Sequence, residues 1–323
     1  MKQVYQNFSE NTLGVYEVPS PTLRSGTVLI KNAASVISVG TEGMVTEFGS
    51  KNLFQKARSR PDLVKQVLSK IKTDGLFETF HSARAKLDQP IALGYSSAGI
   101  AECVSEEIQD IHPGDRLACA GGGYASHAEK ILVPRNLLIK VPDDVKLEEA
   151  AFSTIGSIAM QGYRLSNPQI GDVVAVIGLG LIGLITVQIL KAAGCRVIAY
   201  DPKNVQVNLA NELGADVAVN NESLFKKEAT LFNSGFGIDR IIITASTKSD
   251  QPIQLSSEIA MEKTKIVVVG AVGMNISRKL FYEKELELIV SKSYGPGRYD
   301  PQYEEKGIDY PISYVKWTEN RNM

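Results

Sequence analysis

The pattern of apolar and polar positions divides the chain into two kinds of territory. Up to about residue 148, short β-branched or alternating runs are broken by Gly and Pro, which is how strands and tight turns read. Residues 27–31 (TVLIK), 98–104 (AGIAECV) and 130–134 (KILVP) are such runs, and the turn signal Pro113-Gly114-Asp115 leads into another at 116–119 (RLAC). Short strands at this spacing predict a small barrel. Residues 51–86 interrupt it. There Ser59-Arg60-Pro61-Asp62 offers an N-cap with an early proline, and Leu63, Val64, Val67, Leu68 and Ile71 share one helical face. Asp74 then opens a second amphipathic run with Leu76, Phe77, Phe80 and Leu87. From about 149 to 293 the pattern becomes strand–helix–strand. Strands are expected at 173–177, 196–200, around Val217, at 238–244 and at 265–269, with a helix at 204–213. Such alternation predicts a parallel sheet covered by helices on both faces.

The densest chemical signal lies at the start of that second territory. Residues 173–183 (VVAVIGLGLIG) read as a buried strand, a glycine turn and the first turn of a helix, with the spacing G-x-G-x-x-G. Gly178 makes the turn, Gly180 lets backbone approach a pyrophosphate, and Gly183 lets helix pack closely on strand; Leu179, Leu181 and Ile182 supply the intervening backbone. The helix N-terminus adds free N–H groups and a positive dipole end for the phosphates. A second strand follows and ends in Asp201, at the spacing expected of an acid that holds a ribose 2′-hydroxyl. Asp201 favours NAD over NADP by repelling a 2′-phosphate, and Lys203 is the nearby cation that opposes this preference. The same stretch carries no charge from Val173 to Leu190, which approaches the length of a transmembrane helix. Three glycines at turn spacing and flanking Asp172 and Lys191 exclude that reading.

Composition narrows the picture without redirecting it. The 323 residues suffice for about two domains, and a net charge of −1 gives no pull toward nucleic acid or membrane. The first residues, Met1-Lys2-Gln3-Val4-Tyr5, lack the apolar core of a secretory signal, so a cytoplasmic location is expected. Three separated cysteines, Cys103, Cys119 and Cys195, suit reduced thiols and cannot build a four-cysteine zinc loop. Nine basic against three acidic residues in 51–86 make the helical interruption either a solvated face or a basic lid over an anionic substrate.

Several segments, in order, resemble the medium-chain dehydrogenase/reductase family. They are 28–31 leading to Ile37-Ser38-Val39-Gly40-Thr41-Glu42; 90–99 (PIALGYSSAG); Pro113-Gly114-Asp115-Arg116; 123–129 (GYASHAE); and 281–286 before the last strand. The resemblance implies an α/β protein, a Rossmann doubly wound parallel sheet joined to a GroES-like β-barrel. Its expected domains are a catalytic barrel at 1–148 with the helical insertion, a dinucleotide-binding domain at 149–293, and a return segment at 294–323. Ser38 and Tyr95 stand where zinc-dependent members carry cysteine and histidine, and a third ligand position falls near Ser157. Hydroxyls do not hold catalytic zinc, which needs three N, S or carboxylate ligands. His81, His112 and His127 are too isolated to rebuild the site and read as surface or satisfied core histidines. A zinc-free member is therefore expected.

The run 290–301 (VSKSYGPGRYDP) and the tail 309–323 narrow the resemblance to bi-domain oxidoreductases in which this module precedes a glucose–fructose-oxidoreductase-like domain. That resemblance implies a small sugar-like substrate, and a homo-oligomer or a fused or partner C-terminal oxidoreductase domain. Only about 30 residues follow the last expected strand, and Thr318-Glu319-Asn320 offers N-cap candidates with no helix after it, so the barrel is expected to be incomplete. Matched positions give the expected roles. Glu42, Tyr95 and Tyr124 are candidates for proton transfer or for stabilising the substrate oxygen. Ala245 and the run Gly270-Ala271-Val272 would pass beside the cofactor, and Arg298 would meet the pyrophosphate. The favoured function is NAD-dependent, zinc-independent hydride transfer to or from a sugar alcohol or keto group. Quinone or enoyl reduction with NADPH, and a non-catalytic nucleotide-binding role, are the alternatives.

Overall fold

A computed structural model describes residues 1–7, 12–40, 42–43 and 90–323. The helical pair expected at 51–86, with His81, lies outside the described residues. The chain forms two compact units, Met1–Ser153 and Thr154–Met323.

The first unit is antiparallel. Strands β1 (Lys2–Asn7), β2 (Thr12–Glu17) and β4 (Ile91–Ala92) form a small sheet in the order β2-β1-β4. A curled five-stranded sheet joins β3 (Thr27–Ser35), β5 (Ser96–Val104), β6 (Arg116–Ala120), β7 (Lys130–Pro134) and β8 (Leu138–Lys140) in the order β7-β3-β5-β6-β8. Val28 and Ile30 alternate inward from β3 and meet Ala98, Leu117, Val133 and Leu138, all at most 1% exposed. The expected strands all form. β3 and β5 extend further than the sequence pattern suggests, because Gly99 on β5 lets the strands approach: a Cβ there would lie 2.2 Å from the Lys31 carbonyl oxygen. A short helix, α1 (Leu147–Ala150), closes the unit.

The second unit opens with α2 (Ser153–Ser166). Its six strands are β9 (Val173–Ile177), β10 (Arg196–Tyr200), β11 (Val217–Val219), β12 (Ile238–Ile243), β13 (Ala260–Val268) and β14 (Glu287–Val290). Every pairing is parallel, in the order β11-β10-β9-β12-β13-β14. This is the doubly wound order with its reversal between β9 and β12, where ligands of such sheets bind at the carboxyl ends of the strands. Helices α3 (Leu181–Ala192), α4 (Asn204–Glu212), α5 (Glu222–Phe232), α6 (Gln251–Ile259) and α7 (Arg278–Glu283) connect the strands. β9 is buried at all five positions because both faces of the sheet are covered. Val173, Ala175 and Ile177 pack with Phe225 and Ile253 in one core, while Val174 and Val176 pack with Leu190 and Val207 in another.

The tail differs from the expected return to the first unit. Residues 294–323 cluster with the second unit and carry α8 (Pro301–Glu304) and α9 (Glu319–Asn322). Asn322 fixes the end on α2: it accepts from Arg164 Nε at 2.7 Å and donates to Gln161 Oε1 at 3.1 Å and the Tyr294 carbonyl at 3.0 Å. The Thr318 cap forms, accepting from the Arg321 N–H at 3.4 Å, and a short helix does follow it. Among the described residues no helix is long and apolar enough to cross a membrane.

Candidate functional site

The second unit gathers the glycine motif at the reversal point of its sheet. Gly178 adopts φ +97°, a left-handed conformation, and a Cβ there would lie 2.5 Å from the Ala245 nitrogen, so the turn after β9 demands glycine twice over. At Gly183 a Cβ would sit 2.0 Å from the Gly178 carbonyl oxygen, which is the close helix-on-strand contact expected of the third glycine. Gly180, the N-cap of α3, is different: a Cβ there would meet no protein atom within 4 Å. No protein neighbour requires glycine at that position, whereas a close phosphate would. Leu181, Ile182 and Gly183 form the first turn of α3, whose free N–H groups face the anion side.

Asp201 follows the end of β10 beside this turn. Its Oδ2 accepts from the Leu179 N–H at 2.9 Å and its Oδ1 from the Lys203 N–H at 2.9 Å. The carboxylate thus braces the glycine turn, and Lys203 is exposed as the N-cap of α4. The loops after β12 and β13 are laced together next to it. Thr244 Oγ1 donates to the Gly178 carbonyl, the Ala245 N–H donates to the Ile177 carbonyl at 3.1 Å, and the Thr247 N–H donates to the Ala271 carbonyl at 2.8 Å. A Cβ at Gly270 would lie 2.0 Å from the Ala245 carbonyl oxygen. Ala245, Gly270 and Ala271 are thereby brought to the glycine turn, and Val272 packs on the adjoining core. Arg298 has other partners: it pairs with Glu304, stacks over the Tyr299 ring at 4.0 Å, and keeps a buried Nε without a hydrogen bond. These residues fit a dinucleotide.

The first unit holds a separate polar cluster. Gly94 adopts φ +99°, and a Cβ there would come 2.6 Å from the His127 nitrogen, so the Gly94–Tyr95 turn lies directly on the Ser126–His127 backbone. The Gly121 N–H donates to the Tyr95 carbonyl at 3.0 Å and the Tyr124 N–H to the Gly121 carbonyl at 3.1 Å, which brings Tyr95 and Tyr124 into one loop system. The Tyr95 hydroxyl is buried without a hydrogen-bond partner. Glu42 is 7% exposed; its Oε2 lies 3.1 Å from His127 Nε2, and its Oε1 is buried and unpartnered. His127 Nδ1 is 2.8 Å from Ser35 Oγ.

His127 is a satisfied, largely buried histidine, one of the two readings the sequence left open. Its partners are 85 and 92 positions away, so no local spacing announced them. The matched run 123–129 was the available signal, and Tyr124 alone was taken from it. His112 is the surface residue expected, beside Asp115. Cys119 is fully buried, and burial pushes its thiol up to about 12, so it is an inert core residue.

The fold is thus α/β, a doubly wound parallel sheet with a GroES-like antiparallel unit. Residues 182–305 match the family model described as zinc-binding dehydrogenase. The chain is 30% identical to L-idonate 5-dehydrogenase of Vitis vinifera over 168 residues, 43% of this chain and 46% of that protein. It is 24% identical to galactitol 1-phosphate 5-dehydrogenase of Escherichia coli (strain K12) over 217 residues, 58% of this chain and 62% of that protein. The crystal structure of galactitol-1-phosphate dehydrogenase from Escherichia coli superposes with a TM-score of 0.72 at 20% identity, over 93% of this chain and 85% of that one. The chain spans 46% to 62% of the length of these curated relatives.

The family model raises the question of zinc. Around Ser38 and Tyr95 the donors are hydroxyls together with one carboxylate and one imidazole already bonded to each other. Ser157 is buried on α2. Among the described residues no three His, Cys, Asp or Glu side chains stand close enough to share a metal ion. That donor set does not fit a catalytic zinc site.

Proposed function

We propose that the chain is an NAD-dependent oxidoreductase that moves a hydride to or from an alcohol or keto group of a sugar-like molecule without catalytic zinc. The observation that carries the reading is Asp201, its carboxylate anchored by the Leu179 and Lys203 N–H groups beside a glycine turn shaped for a pyrophosphate. The activities of the relatives, an L-idonate 5-dehydrogenase and a galactitol 1-phosphate 5-dehydrogenase, support a polyhydroxylated substrate.

A bound nicotinamide supplies the hydride chemistry. The chain's own tasks are to hold the ribose at Asp201, to receive phosphates at the N–H groups of Leu181, Ile182 and Gly183, and to manage one proton. Glu42, Tyr95 and Tyr124 are the proposed proton-handling and oxyanion-stabilising groups, since a buried carboxylate oxygen and a buried phenol without partners have capacity left for a substrate hydroxyl. Arg298 is proposed to serve the pyrophosphate.

The test is a titration with NADH and NADPH, followed by turnover on a panel of sugar alcohols and their phosphates. Tighter NADH binding and turnover of at least one polyol are expected; equal affinity or tighter NADPH binding sinks the NAD assignment. Elemental analysis should give well below one zinc per chain, and stoichiometric zinc that survives mild chelation defeats zinc independence. A fused or partner oxidoreductase domain, or a second copy of the chain, belongs to the same reading, and intact mass with solution size tests it.

A further inference from the structure

We infer that Ser35, His127 and Glu42 form a proton relay joining the buried site of the first unit to solvent, with His127 as a positioning and relay residue. The proposal rests on the oxidoreductase reading above. Three side chains from separate segments are joined end to end: Ser35 Oγ at 2.8 Å from His127 Nδ1, and His127 Nε2 at 3.1 Å from Glu42 Oε2. The two ends differ in environment. Ser35 is exposed and opens, with His127, on a groove of about 330 Å³ lined also by Gln3, Asn32 and Glu129. Glu42 is 7% exposed and its Oε1 is buried with no hydrogen-bond partner among the described residues. An acceptor left free at the buried end costs stability unless it is used.

Both ring nitrogens are committed to neighbours of opposite exposure, and imidazole passes protons by exchanging which nitrogen donates. A bound oxidised nicotinamide would supply the acceptor for the hydride and its two electrons; in the oxidative direction the task of Glu42 is to take the proton of the substrate hydroxyl. Glu42 passes a proton to His127 Nε2, His127 Nδ1 releases one to Ser35 Oγ, and Ser35 releases one to water in the groove. One proton enters at Glu42 and one leaves at Ser35, and no electrons move through the relay. Reduction runs the same steps in reverse.

His127→Gln and Ser35→Ala test this in the full-length chain. General acid–base contributions of this kind are worth a hundredfold or more, so His127→Gln is expected to lower kcat by about a hundredfold. KM should change little, and added imidazole should restore part of the rate. Ser35→Ala, at an exposed side chain, should keep the fold and lower kcat by about fivefold, a share of that same contribution. Unchanged kcat and solvent isotope effect in both variants would overturn the relay and leave the oxidoreductase reading intact. A second readout needs no turnover: in ring-¹⁵N-labelled protein, Glu42→Gln should shift the His127 Nε2 signal and Ser35→Ala the Nδ1 signal. Ring signals unmoved by either change overturn the relay, whereas wild-type protein inert toward every polyol counts against the proposed function, and the ring signals then decide the relay alone.

Discussion

The two units build their chemistry over different distances along the chain. In the second unit the crevice proposed to hold the nucleotide is local: Leu179 and Asp201, which brace one another, are 22 positions apart, and the glycines share one strand–turn–helix. In the first, Glu42 and Ser35 reach His127 across 85 and 92 positions, through strand pairing that only the folded sheet creates. The crevice should therefore depend on backbone at a few glycines, and the cluster on loops held together from several strands.

The largest expected effect tests how strictly the crevice depends on backbone. Gly183→Val places atoms where even a Cβ would be 2.0 Å from a carbonyl oxygen, and should destabilise the chain by about 3 kcal/mol or more in urea unfolding. Gly180→Val is its counterpart, because no protein atom lies within 4 Å of a Cβ there. Its stability should be unchanged while NADH affinity falls about a hundredfold, about 2.7 kcal/mol. If Gly180→Val unfolds the protein, or binds NADH normally, the two glycines do not divide structure from binding in this way.

Gly94→Ala asks the same of the first unit. The left-handed backbone and the 2.6 Å approach to the His127 nitrogen should together cost about 2–3 kcal/mol. Turnover should fall with stability, because the change pushes on the backbone that carries His127. A Gly94→Ala protein as stable as the wild type would mean that the Tyr95 turn does not lean on that backbone.

The difference between the units explains what the sequence made legible. The strand, glycines, helix and Asp201 could be read because each glycine answers a geometric demand of its immediate neighbours. The barrel strands could be read from alternation, although β1 and β2 were not separately anticipated. Ser38 and Tyr95 stand out in the sequence as unusual positions for zinc ligands, but nothing near Glu42 or His127 marks the contact between them. The tail misled for a related reason: Thr318 was read as a cap with no helix to follow, while its anchor, the Asn322 contacts to Gln161 and Arg164 on α2, spans some 160 positions.

That tail supplies a pH test. Glu319 is fully buried and neither carboxylate oxygen has a hydrogen-bond partner. Burial, with the nearby Glu304 charge adding to it and Arg298 and Lys292 opposing, raises its carboxyl from 4.5 to about 8. Between those values the folded chain keeps a proton that the unfolded chain has lost, so stability falls as pH rises from about 4.5 to about 8. The decline approaches about 1.4 kcal/mol per pH unit for one such group and ends once the folded carboxyl also ionises. Glu319→Gln should flatten it and be the more stable protein at pH 8. Urea unfolding at pH 5 and pH 8 decides it, and a wild-type profile as flat as the variant's refutes it.

The smallest expected effect separates recognition from scaffolding at a single residue. Asp201 braces the turn through the Leu179 N–H and stands at the ribose side, so removing it outright would confound the two roles. Asp201→Asn keeps a carbonyl oxygen to accept from Leu179 while removing the charge and giving up the bond from the Lys203 N–H. The fold should be kept, with the unfolding midpoint lowered slightly by that one lost bond. The loss of a charge-assisted bond to the ribose should weaken NADH by about tenfold, about 1.4 kcal/mol. The 2′-phosphate of NADPH would no longer meet a carboxylate, and with Lys203 two positions on, NADPH should tighten by a similar factor. Parallel titrations read this as a ratio, which cancels any general loosening of the turn. A ratio that stays constant while both affinities fall would assign Asp201 to the scaffold alone, and the preference for NAD would then have to come from elsewhere in the crevice.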